Sequence, residues 1–292
     1  MQAQFIAIRH SWFLGVLILF ASLAACSKST PGVAPPTPLN FPLTLLYAQR
    51  AELAYEQDAI ILQRSGTGVK VAVSPPVALG VKAYVETDDR AKVQWIVVRG
   101  SSNLVNLRSD VDYNKVVESR LQVPLHKGFA DAALQVYQFA KPLLKTDYET
   151  RISGHSLGGA AAAIVLMLLK EDGYKLGQAM TFGQPKVTNR DGARKYGGLP
   201  LLRFVNAKDP VPLLPPFEVF AVLDEGPYQH FGPEVVMEQG GGYRYYTDHQ
   251  AGRLSVLSFW NNLKNVSVND VPEHFMSTYL ARIQQNVSAP AK

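Results

Sequence analysis

One cysteine, Cys26, stands in the 292 residues, so no disulfide can form within the chain. Acidic and basic residues nearly balance, with a net charge of +5. No cluster of Lys and Arg interleaves with aromatic residues, which argues against nucleic-acid binding. The apolar run from Trp12 to Ala25 is 14 residues, shorter than the roughly 20 that span a bilayer. No internal repeat is evident. What is present is a hydrophobic content of 47% and a charged content of 18%. That composition and length fit one large α/β domain.

The most informative stretch is Gly154-His155-Ser156-Leu157-Gly158-Gly159. It has the pattern Gly-x-Ser-x-Gly. The residues from Tyr148 to Ile152 can run as a strand into it, and the Ala- and Leu-rich stretch from Leu157 to Lys170 reads as a helix leaving it. A serine on a tight strand-to-helix turn has its Oγ pushed out at the top of a sheet, and the backbone N–H of the next residue faces whatever the serine attacks. Glycines on both flanks allow the strained turn and close packing of strand and helix. Ser156 is therefore the candidate nucleophile, and the Leu157 N–H is a candidate oxyanion donor.

Elsewhere the pattern alternates strands and helices. Leu43 to Glu56 has helical character. Strands are expected at Val69 to Val73, Ala78 to Glu86, Val93 to Val98, Gln178 to Phe182, Leu201 to Val205 and Glu234 to Met237. The stretch from Val93 to Val98 is almost wholly apolar, as for a strand buried on both faces. Helices are expected at Lys127 to Lys145, bent or ended near Pro142, and at Ser255 to Lys264 and His274 to Gln285. This alternation predicts a mainly parallel central sheet with helices on both faces.

A serine hydroxyl needs a base within hydrogen-bond reach, and the base needs an orienting acid. Asp209 lies just past the expected strand from Leu201 to Val205, in a loop stiffened by Pro210, Pro212, Pro215 and Pro216. Catalytic groups of open α/β sheets gather at the carboxyl ends of strands. For the base, His249 and His274 compete, and spacing does not decide between them. His230 reads as structural. A second oxyanion donor is expected from the loop after another strand. Arg99-Gly100-Ser101-Ser102 follows an apolar strand and offers the N–H of Ser101.

Together these blocks resemble the class 3 lipase family over about residues 43 to 285. Val98-Arg99-Gly100-Ser101-Ser102 is similar to the family's oxyanion block, and His126-Lys127-Gly128-Phe129 to its His-x-Gly-Phe block. Gly154 to Gly159 forms the elbow, and Thr181 to Val187 matches the strand and loop after it. Asn206 to Pro216 is similar to the acid segment, and Tyr228-x-His230-x-Gly232-x-Glu234 to a further block. His274 followed by Tyr279 resembles the end that carries the catalytic histidine, which favours His274 over His249. The resemblance implies an α/β-hydrolase fold and a triad of Ser156, Asp209 and His274. It implies Ser101 and Leu157 as oxyanion donors, and no metal or cofactor. The activity implied is hydrolysis of carboxylic esters, with lipid esters as the substrate. Phospholipase A1 or lysophospholipase activity and feruloyl-type esterase activity are alternatives within it, and a non-catalytic envelope lipoprotein is a distant one. Where the family often carries an aromatic lid, Asn103 to Asp112 is polar. Pro215 to Leu223 is more apolar and reads equally as an acyl- or membrane-facing wall or as an ordinary buried segment.

Arg9 and His10 precede the apolar run, which ends in Leu23-Ala24-Ala25-Cys26. Small residues stand just before the cleavage point of a signal peptide. The four residues resemble the lipobox of bacterial lipoproteins. That resemblance implies a signal peptide over 1–25 and a lipid on Cys26. With Ser27 following, it implies sorting to the outer membrane of the cell envelope. Two or three acyl chains anchor stably where one does not. Residues 26–42 hold five prolines between Ser27 and Pro42 and read as an extended tether. The resemblance to class 3 lipases implies that residues 43–292 form the hydrolase domain.

Overall fold

A computed structural model describes residues 35, 37–101, 114–215, 226–247 and 272–288. The described strands are β1 (Val69–Val73), β2 (Lys82–Asp88), β3 (Val93–Arg99), β4 (Lys115–Glu118), β5 (Val123–His126), β6 (Glu149–His155), β7 (Leu176–Phe182), β8 (Leu201–Asn206), β9 (Glu234–Met237) and β10 (Tyr243–Tyr246). The described α-helices are α1 (Phe41–Leu53), α2 (Asp58–Leu62), α3 (Lys127–Ala140), α4 (Leu157–Glu171), α5 (Arg190–Tyr196) and α6 (Met276–Ser288).

Eight strands form one sheet in the order β1-β2-β3-β6-β7-β8-β9-β10. Pairing is parallel from β3 through β6, β7 and β8 to β9, and antiparallel at both edges. Strands β4 and β5 make a separate hairpin. Side chains alternate across each strand. In β3, Ile96 and Val98 pack on one face with α3, α4 and α5. Trp95 and Val97 pack on the other with α1 and α6. The sheet is thus sandwiched between two helical layers. Every residue of α4 from Leu157 to Leu169 is buried, as its all-round apolar sequence requires.

The expected elements are found with changes at their ends. Phe41 begins α1, capped by the Asn40 side chain on the Leu43 N–H at 2.9 Å. Phe41 and Pro42, placed in the tether by sequence, therefore belong to the folded body. The expected strand from Ala78 fails in its first part. Leu79 and Gly80 take φ of 58° and 66°, so Ala78–Gly80 is a 3-10 turn. Helix α3 stops at Ala140 and passes into a 3-10 turn containing Pro142. His274 closes the 3-10 turn Pro272–His274 instead of opening the last helix. Sequence reading passed over α2, α5, β10 and the β4–β5 hairpin. The expected helix from Ser255 to Lys264, Asn103 to Asp112, and residues 216–223 of the apolar wall lie outside the described residues, as do the signal segment and Cys26.

Candidate active site

Because β3, β6, β7 and β8 run parallel, their carboxyl ends share one edge. Gly100 and Ser101, Ser156, Gly183, and Asp209 follow these four ends in turn. Ser156 has φ 57° and ψ −132°, a left-handed conformation that non-glycine residues avoid. Its N–H donates to the Phe182 carbonyl at 2.9 Å, while its own carbonyl accepts from Gly159 at 2.9 Å. The turn is therefore held from both sides.

Glycine is required at the crossing. A Cβ at Gly158 would lie 2.3 Å from the Val98 carbonyl oxygen, and one at Gly154 would lie 2.6 Å from the Gly158 carbonyl oxygen. At Gly100 a Cβ would fall 2.9 Å from the Ser156 Cβ and 3.1 Å from the Leu157 nitrogen. The end of β3 thus rests directly on the elbow, and Ser101 follows from that contact.

His274 Nε2 and Ser156 Oγ are 2.8 Å apart. His274 Nδ1 and Asp209 Oδ2 are also 2.8 Å apart. A carboxylate only accepts, so Nδ1 carries the proton, and in the neutral ring Nε2 accepts from the Ser156 hydroxyl. Asp209 Oδ1 accepts from the Val211 N–H at 2.9 Å. Its Oδ2 also accepts from the Tyr279 hydroxyl at 2.5 Å. That hydroxyl in turn accepts the Asn206 N–H at 3.1 Å. Burial, then the neighbouring Asp209 charge, pushes the Tyr279 pKa well above the usual phenol value. Tyr279 therefore stays a donor to the carboxylate.

The loop bearing His274 is pinned by Asn206 Nδ2, which donates to the Glu273 carbonyl at 2.7 Å. Gly183, at φ 59°, gives way to the pair beside it. A Cβ there would lie 2.8 Å from Asp209 Oδ2 and 2.9 Å from His274 Cε1. Ser156 and His274 are both fully buried. Among the described residues no group of three or more His, Cys, Asp and Glu side chains is disposed to hold a metal ion.

This geometry has counterparts. Residues 95–219 match the family model of class 3 lipases. That stretch holds Ser156 and Asp209 and stops short of His274, which the fold brings in. The chain is 28% identical over 230 residues to the secreted mono- and diacylglycerol lipase 1 of Fusarium solani, covering 73% of this chain and 60% of the relative. It is 33% identical over 157 residues to a lipase of Rhizomucor miehei, covering 49% of this chain and 43% of the relative. It is 25% identical over 166 residues to the chloroplastic phospholipase A1 PLIP2 of Arabidopsis thaliana, covering 53% of this chain and 22% of the relative. The matched stretches thus span between about a fifth and three fifths of these relatives. Among solved structures, the Lip2 lipase of Yarrowia lipolytica superposes with a TM-score of 0.64 at 19% identity, covering 85% of this chain and 97% of that one. Lipase II of Rhizopus niveus superposes at 0.61 with 20% identity, covering 88% and 97%. The fold is the α/β-hydrolase fold.

The blocks similar to class 3 lipases thus find distinct places. The block from Tyr228 to Glu234 supports the acid loop. His230 Nε2 donates to the Pro212 carbonyl at 2.7 Å, and Glu234 pairs with the buried Arg203 at 3.3 Å. His126 caps α3, its Nδ1 accepting from Phe129 at 3.4 Å. The rival base, His249, lies outside the described residues. Sequence reasoning gave Gly183 no role of its own and missed the hydroxyl of Tyr279 on Asp209.

Proposed function

We propose that the chain is a serine carboxylic-ester hydrolase acting on lipid esters. The observation that carries this reading is the hydrogen-bonded chain from Ser156 through His274 to Asp209. Ser156 Oγ attacks the acyl carbonyl as its proton passes to His274 Nε2. Asp209 holds the Nδ1–H and stabilises the imidazolium that forms. The N–H groups of Leu157 and Ser101 receive the oxyanion, each contributing on the order of 10²–10³ in rate. His274 then gives its proton to the departing alkoxide. Water, activated by the same histidine, frees the acid from the acyl-enzyme. No metal or cofactor takes part in these steps.

Lipid esters are favoured as substrate by the lipases among the relatives. A phospholipase A1 reading is favoured by the relative of that name. The chain is further proposed to sit at a bacterial envelope, most simply the outer membrane, held by acyl chains on Cys26. Leu23-Ala24-Ala25-Cys26 and the proline-rich residues after it support this placement. A panel of short and long acyl esters, a phospholipid and a feruloyl ester, with Ser156→Ala as control, tests the activity. Hydrolysis of at least one lipid ester, lost in the variant, is expected. Hydrolysis that survives the substitution, or none of any lipid ester, contradicts the proposal.

A further inference from the structure

Tyr55 lies in the link between α1 and α2, outside the Ser156–His274–Asp209 chain, yet its hydroxyl touches both halves of the site. It accepts the Gly100 N–H at 3.2 Å and lies 2.6 Å from His155 Nδ1. His155 Nε2 lies 2.7 Å from the His274 carbonyl oxygen. A carbonyl only accepts, so Nε2 carries the proton. Burial, then the His274 imidazole whose centroid is 4.8 Å away, holds the His155 pKa well below the ordinary histidine value. The ring is therefore neutral, and its Nδ1 accepts from the Tyr55 hydroxyl. Burial also raises the Tyr55 pKa, which keeps that hydroxyl protonated.

The hydrogen bonds run Gly100 N–H to Tyr55, Tyr55 to His155, and His155 to the backbone of His274. Each donor has one acceptor, and all are buried or part-buried. One terminus is the strand end that rests on the elbow and leads into Ser101. The other is the backbone of the histidine bonded to Ser156. Along the chain, Gly100 and His274 are 174 positions apart (274 − 100).

We propose that Tyr55 and His155 are a positioning pair that fixes the Gly100–Ser101 strand end and the His274 backbone relative to one another. This rests on the ester-hydrolase reading above. The pair touches neither acyl group nor leaving alcohol. Its loss misplaces the oxyanion donor and the base together. Rate therefore suffers and ground-state binding does not, because only contacts that strengthen in the transition state affect kcat.

Tyr55→Phe in the full-length chain removes the hydroxyl and keeps the ring. With a soluble short-chain ester, kcat per fluorophosphonate-titrated site is expected to fall roughly 10- to 100-fold. KM is expected to stay within about 2-fold, since binding common to ground and transition states is untouched. Counting titrated sites removes any loss due to misfolded protein. A kcat per site within about 3-fold of wild type overturns the proposal. If wild type titrates and hydrolyses no ester, the parent reading falls and the positioning role falls with it. Nitrogen-15 NMR of the His155 ring in wild type needs no activity and no variant. The Nε2–H tautomer with a bare Nδ1 is expected, and the Nδ1–H tautomer overturns the proposal.

Discussion

Ser156 holds a backbone conformation that costs of the order of 1–3 kcal/mol for a non-glycine residue. Hydrogen bonds to Phe182 and Gly159 and the packing of α4 impose it. Ser156→Ala keeps that backbone and removes only Oγ, so the melting temperature should change little while kcat falls by on the order of 10⁴-fold or more. His155, next to it, makes a different prediction. It is neutral, and faces Tyr55, His274 and Tyr279. Its folded pKa lies below the unfolded value of about 6.5, so the unfolded chain binds more protons in the interval between. Stability therefore falls as pH drops below about 6.5, with a slope approaching about 1.4 kcal/mol per pH unit from this residue. Denaturant melts of wild type and His155→Gln between pH 7 and pH 5 check this. The variant should show the shallower acid loss, and parallel profiles would exclude a buried neutral His155.

At the scale of elements, the site depends on how closely α4 and β3 cross. Gly158→Ala places a Cβ 2.3 Å from the Val98 carbonyl oxygen, so backbone must move. A loss of about 1–3 kcal/mol or more is expected, read as a lowered melting temperature together with reduced activity. Retained stability would mean the crossing is looser than described. Strand β8 carries the acid loop and is tied to β9 by Arg203 and Glu234, paired in register and both buried. Glu234→Gln leaves the Arg203 guanidinium buried without its counter-charge and should cost about 3–5 kcal/mol. Arg203→Met with Glu234→Leu should recover most of that in the same unfolding measurement. The elements that position the site were legible in the sequence because their residues are unusual. The apolar run of α4 from Leu157 to Leu169, the largely apolar β3, and the glycines at each side of Ser156 leave few alternative conformations. The short α5, with Gly192 inside it, and the hairpin strands of four residues carry too little periodicity to be read. Its Asn189 cap, accepting from Asp191 and Gly192, was a usable signal for α5. Leu79 at positive φ is set by its surroundings, and nothing in its side chain foretells it.

Across the whole molecule, the candidate site joins residues far apart in the chain. Asp209 and His274 are separated by 65 positions, and Tyr55 and His155 by 100. Spacing left His249 and His274 equal. Resemblance favoured His274, and the sheet edge then brings that residue to Ser156. Tyr55 could not be read because its partners meet only after α1 packs under the sheet. The proposed anchor also belongs to this scale. Among the described residues no helix is long and apolar enough to cross a membrane; the proposed attachment point is Cys26. Cys26→Ser should abolish incorporation of labelled palmitate and shift the protein out of the membrane fraction. Unchanged fractionation would contradict the anchor while leaving the hydrolase untouched. The hydrolase itself is tested most directly by fluorophosphonate labelling of the full-length chain, with the modified residue located by mass spectrometry and ester hydrolysis followed in parallel. Modification of Ser156 with loss of hydrolysis, and no modification in His274→Ala, is the expected result. Labelling elsewhere, or hydrolysis that persists once Ser156 is modified, would contradict it.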